Sequence, residues 1–146
     1  MKRAAILFLA LAMFSSLTAC TLSGADNAAN AIVDIGSSTK FSEKEIKSAV
    51  DAAIEKFHHF EDCDLIRIWY DEEQSNSLIE GELNYGNGLV FGATKENAII
   101  LLSDFYAGPA AINGGFNPDH TYRNWKWILT RENPNSSCEV SSWGYG

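Results

Sequence analysis

Residues 41–57 read Phe41-Ser42-Glu43-Lys44-Glu45-Ile46-Lys47-Ser48-Ala49-Val50-Asp51-Ala52-Ala53-Ile54-Glu55-Lys56-Phe57, the strongest local signal in the chain. Ser42 with Glu45 three positions on is a capping box: hydroxyl and carboxylate each satisfy an amide the first helical turn leaves free. Phe41 before the cap and Ile46 after it form a hydrophobic staple. Ile46, Ala49, Val50, Ala53, Ile54 and Phe57 recur at i, i+3, i+4, i+7, i+8 and i+11, which is one helical face. The pattern predicts a helix over 43–59 with its apolar stripe against a sheet.

The chain beyond this helix reads as strands. Leu65–Tyr70 is β-branched and aromatic and stops at Asp71-Glu72-Glu73. Ala98–Tyr106 is nearly continuous in apolar residues, as in a strand covered on both faces at its centre. Thr121–Arg131 alternates, with Tyr122, Asn124, Lys126, Ile128 and Thr130 to one side and Arg123, Trp125, Trp127, Leu129 and Arg131 to the other. Residues 132–136 are turn chemistry, and Cys138–Trp143 completes a hairpin. Residues 75–94 hold four glycines, and the expectation there is one or two short strands, Leu78–Leu83 and Leu89–Phe91. The predicted fold is α+β: one N-terminal amphipathic helix packed on an antiparallel, curved sheet of about four strands.

Outward to the N-terminus, Lys2 and Arg3 precede an unbroken apolar run, Ala4–Phe14, then Leu17-Thr18-Ala19-Cys20. The run is shorter than the roughly 20 residues of a membrane span and matches the core of an export signal. The sequence L-x-A-C resembles the lipobox of bacterial lipoproteins. That resemblance implies cleavage before Cys20, a diacylglyceryl group on its sulfur, and acyl chains in place of a protein anchor. The expected organisation is a signal peptide over 1–19, the lipidated Cys20 and a flexible tether over 20–40, and a single domain over 41–146. The patch Ala31–Ile35 leaves open that the tether docks on the domain. The expected location is extracytoplasmic, lipid-anchored to the cell membrane, or to the outer membrane in a host with two.

The 146 residues carry 11 Lys+Arg against 19 Asp+Glu, a formal charge of −8. This excludes a general nucleic-acid surface, which needs clustered cations. An acidic domain is also repelled by an anionic membrane, so lipid must supply the attachment and the domain should stand off.

With Cys20 lipidated, Cys63 and Cys138 remain. Outside the cytoplasm an isolated pair is a natural disulfide; two buried thiols, or a nucleophile near His58-His59, are the alternatives. No P-loop, dinucleotide, zincin, hydrolase-elbow or EF-hand pattern occurs, and no cofactor or metal is expected. His58, His59, Glu61, Asp62 and Asp64 contain metal-ligand types, but adjacent helical histidines diverge by about 100°. Asp104, Asp119, His120 and Arg123 would make an acid/base group only if the fold brings them together. The aromatic surplus suggests a binding face, for which Trp125, Trp127, Arg123 and Arg131 are the candidates. Asn135-Ser136-Ser137 matches a glycosylation sequon, taken as chance.

The order helix, Cys63-x-Leu65 strand ending in Tyr70-Asp71-Glu72, strand containing Ser103-Asp104-Phe105, Asn117-Pro118, a strand with Tyr122, Asn124, Trp125, Trp127 and Arg131, and terminal Trp143-Gly144-Tyr145 resembles small secreted lipoproteins of Gram-positive anaerobes. The layout is also similar in shape to cystatin/NTF2-like helix-on-sheet domains. Such folds host several functions. The expected role is a non-enzymatic, surface-tethered domain that binds an envelope protein, peptide or small ligand. The alternatives are a ligand carrier or small hydrolase with a pocket in the sheet, or an inhibitor or immunity protein against an exported enzyme.

Overall fold

The computed structural model describes residues 26–86, 92–133 and 136–145. The capping box forms as the sequence requires: Glu45 N–H donates to Ser42 Oγ (3.3 Å), and Ser42 N–H donates to Glu45 Oε2 (2.7 Å). The helix it opens, α1, spans Glu43–Phe57 and buries Ile46, Ala49, Val50, Ala53 and Phe57.

The sheet departs from expectation. It has five strands in spatial order β1 to β5: Ile32–Asp34, Cys63–Trp69, Ala98–Ala107, His120–Thr130 and Glu139–Gly144. It is mixed, because β1 runs parallel to β2 while the other neighbours are antiparallel. The extra strand comes from the segment expected as tether. Leu65 N–H donates to Asn27 O (2.8 Å) and Tyr70 N–H to Asp34 O (2.9 Å), so the chain from Asp26 on is docked along β2. Pairing of its backbone groups with an open sheet edge replaces solvation by water.

A second helix, α2, spans Glu72–Tyr85, in place of the short strand expected at 78–83. Asp71 caps it by accepting from Gln74 N–H (2.8 Å), and Glu72 and Glu73 lie in its first turn, favoured by the helix dipole. Ser75 and Ile79 face inward, with Leu78 and Leu83 beside them. Gly81 breaks the helical pattern in the sequence, but it is exposed with open space around it, so packing of Ile79 outweighs a propensity cost of about 1 kcal/mol. The expected strand at 89–91 lies outside the described residues.

The two helices cover opposite faces of the sheet. On the α1 face, Ile99, Leu101, Phe105, Trp127 and Leu129 pack with Phe57, Phe60 and Leu65. On the other, Ala98, Ile100 and Ile128 pack with Ile79. Hence the unbroken apolar run of β3. Beyond the end of β2 the Ile100 amide has no strand partner, and it donates to buried Ser75 Oγ (3.0 Å).

Alternation in β4 holds from Trp125 onward and breaks before it. Asn124 has φ +54°, and Arg123-Asn124 together oppose Asp104 in a bulge. The extra residue puts Tyr122 on the same face as Trp125 and Trp127, where it stacks on Phe105.

Candidate functional site

The bulge shapes one side of a groove of about 880 Å³ on the α2 face. The first turns of α2 supply Gln74, Ser77 and Leu78; Leu102 lies on β3; Arg123, Asn124 and Lys126 come from β4; Tyr145 closes the edge. The groove exists because α2 packs over the Ala98, Ile100 and Ile128 end of the sheet and leaves the rest of that face open.

Its polar groups are held in place. Asp104 accepts from the Asn124 amide (2.9 Å) and lies 3.6 Å from the Arg123 guanidinium. The Arg123 amide donates to Tyr145 Oη (3.1 Å), and the Tyr145 ring stands against Trp125 and Tyr122 at 5.3 and 5.8 Å. Lys126 is largely buried and paired with Glu82 of α2, so its charge is spent on holding the helix to the sheet. Arg123 is the cation that reaches solvent: 72% of its side chain is exposed. An asparagine held at positive φ in a strand, its amide bonded to Asp104, is a preorganised feature.

Of the sequence candidates, Asp104 and Arg123 come together. Asp119 instead accepts from Tyr106 Oη (3.0 Å), and that bond and the neighbouring acids raise the Tyr106 phenol's pKa. His120 packs edge-on to Tyr122 at 4.9 Å, on the α1 side of the sheet. The convergence of Asp104, His120 and Arg123 that an acid/base site requires is not made. Ser103 is buried and accepts from Trp127 Nε1 (2.8 Å).

Trp125, Trp127, Arg123 and Arg131 do not form one exposed face. Trp127 is 0% exposed. Arg131 is buried between Glu45 and the Phe41 ring. Trp125 is half-buried among Phe60, Phe105 and Phe116. The bulge turns Arg123 to the other side. The exposed aromatics near this region are Trp143 and Tyr145.

Cys63 and Cys138 are buried free thiols. Cys63 pairs with Ala107, whereas Cys138 precedes Glu139, which pairs with Thr130, itself opposite Ala98. Ala98 and Ala107 are the two ends of β3, about 30 Å apart at strand rise. A disulfide needs Cα atoms about 6 Å apart, and in this structure the two thiols stand apart from one another. Burial, with Asp62 and Asp64 beside it, pushes the Cys63 thiol up to about 11, which keeps it protonated and unreactive at neutral pH.

Two members of the acidic and histidine cluster after α1 make structural bonds. His58 Nδ1 bonds Asn27 Oδ1 (2.9 Å), and Asp62 Oδ2 accepts from the Ala110 amide (2.7 Å). Among the described residues no group of three or more His, Cys, Asp or Glu is placed to hold a metal ion. No described helix is long and apolar enough to cross a membrane. The residues of the expected signal peptide and lipobox, and Asn135 of the sequon, lie outside the described residues.

Sequence reasoning missed Gln74, Ser77, Lys126 and Tyr145 as lining. The Asp71 cap with Glu72-Glu73 was a usable sign of α2. No known family, curated protein or solved structure matches the chain.

Proposed function

We propose that this chain is a lipid-anchored extracytoplasmic domain that binds a small ligand or peptide segment of an envelope partner in the groove between α2 and β4, and performs no chemistry there. The observation that carries this reading is the strained Asn124 bulge, which presents Arg123 and Tyr145 at the mouth of an open groove. The volume is that of a small-molecule or peptide site. The N-terminal Lys2-Arg3, apolar run and Leu17-Thr18-Ala19-Cys20 support the anchor.

The test is capture from envelope extracts by the wild-type chain and by Arg123→Ala with Tyr145→Ala. Both side chains are exposed, so the fold should tolerate the changes. The bound set should lose specific components in the variant. An unchanged set sinks the groove as the binding site.

A further inference from the structure

We infer that the 3-10 helix Pro109–Gly114 is a second attachment point, an uncharged tip that rests in the bilayer interface beside the lipid anchor. The inference rests on the anchor reading above and adds a contact surface to it, in place of the stand-off expected from net charge and a longer tether.

Residues 105–118 contain no charged side chain, although the chain as a whole carries −8. Within that stretch Pro109, Ala110, Ile112 and Asn113 are exposed, Ile112 at 61%. Exposed apolar side chains supply the area on which interfacial binding scales, and the lack of acidic groups spares the tip the repulsion the rest of the chain meets.

The position of the tip is fixed by the first described residues. Asn27 bonds the carbonyls at the end of α1, with Nδ2 3.5 Å from Phe57 O and 3.4 Å from Phe60 O. Two residues after Phe60, Asp62 O accepts from Gly108 N–H (2.8 Å) and its carboxylate from Ala110 N–H. A Cβ on Gly108 would lie 2.5 Å from that carboxylate, so a larger residue there would have to displace the Asp62 side chain. Asp26 and the 3-10 helix therefore share one end of the sheet. Six residue steps separate Cys20 from Asp26, a reach of at most about 20 Å however the chain runs. A lipid on Cys20 thus holds this end, and not the Ala98 end, next to the membrane. Tethering that short gives an effective concentration in the millimolar range, so a contact too weak to bind vesicles alone becomes populated. Glu61, Asp64 and Asp119 flank the tip and oppose closer approach, while the Asp62 carboxylate is turned inward.

The test uses the mature chain, residues 20–146, coupled through Cys20 to a maleimide lipid in phosphatidylcholine nanodiscs carrying a nitroxide-headgroup lipid. Cys63 and Cys138 are 1% and 6% exposed, so Cys20 is the thiol that couples. Amide signals of 110–117 should broaden at least about threefold more than those of 139–144. Ile112→Asp and Ile112→Ser should each abolish the difference without altering the rest of the spectrum. Equal broadening of the two segments, or a pattern unchanged in both variants, overturns the inference. Intact mass of the native product reports separately on the anchor: an unmodified Cys20 sinks the anchor reading whatever the tip does, and an acylated Cys20 with a silent tip sinks only the inference.

Discussion

Arg131, the residue after β4, bonds one oxygen of the Glu45 carboxylate while the other oxygen accepts the Ser42 amide and closes the capping box. One side chain thus starts α1 and fastens it to the sheet. Arg131 is almost wholly buried there, over the Phe41 ring. Glu45→Ala removes the box and strands a buried guanidinium, and should destabilise the fold by about 3 kcal/mol or more. Urea unfolding measures this; a loss no larger than for Glu43→Ala, a first-turn acid without such a partner, would show that Arg131 is satisfied elsewhere.

The segment before α1 is held by Glu72, whose carboxylate accepts from the Ser38 hydroxyl, the Thr39 amide (2.7 Å) and the Thr39 hydroxyl (2.6 Å). These bonds, the Ser38 hydroxyl first and then Thr39, hold its pKa down to about 2, from an ordinary 4.5. A depressed carboxylate contributes stability that is fully present above its unfolded pKa and lost as pH falls through the folded one. The window is therefore pH 4.5 to about 2. Glu72→Gln should lower the Tm at neutral pH and converge on wild type near pH 2. A gap between the two that persists at pH 2 would count against the clamp.

Gly81 and Gly36 should respond in opposite senses to alanine. Gly81 lies mid-helix with nothing within 4 Å of an added Cβ, so Gly81→Ala should stabilise by about 1 kcal/mol. Gly36 has φ +55°, and an added Cβ would lie 2.6 Å from Tyr70 O. Gly36→Ala should destabilise, by about 1–3 kcal/mol, through strain at positive φ and displacement of the segment leading from β1 to α1. Thermal melts of the two variants suffice.

The two thiols should behave as buried, separate groups. In a Cys20→Ser chain purified without reductant, neither should react with a thiol reagent at pH 8 while folded, and both should react on unfolding. Burial raises both thiols' pKa values, Cys63's to about 11, so raising the pH to 9 should not expose them to attack in the native state. Absence of free thiol in the unfolded, unreduced chain would mean the sheet register is wrong.

Much of the fold is legible residue by residue. Phe41, Ser42, Glu45 and Ile46 announce α1, because capping and stapling are contacts between residues at most five apart. The runs over 98–106 and 121–131 announce β3 and β4, because burial of a strand selects its side chains directly. The second helix was hidden, since Gly81 and the polar residues around Ile79 dilute a short apolar stripe. The β1 strand was hidden too: three exposed residues, Ile32, Val33 and Asp34, carry no burial pattern and pair only because the edge of β2 stands open.

The candidate site was less legible. Asp104 and Arg123 meet because Asn124 takes a left-handed conformation and adds a residue to β4, which also sends His120 to the far face. Nothing local in Arg123-Asn124-Trp125 states that parity change. By itself the sequence determined the first helix and the strands of the sheet's centre, since each is written in residues a few positions apart. Only the tertiary structure decided which side of the sheet each helix covers, that Cys63 and Cys138 lie at opposite ends of β3, and where the groove opens. Those depend on strand order, register and bulges, which set distances between residues many positions apart along the chain.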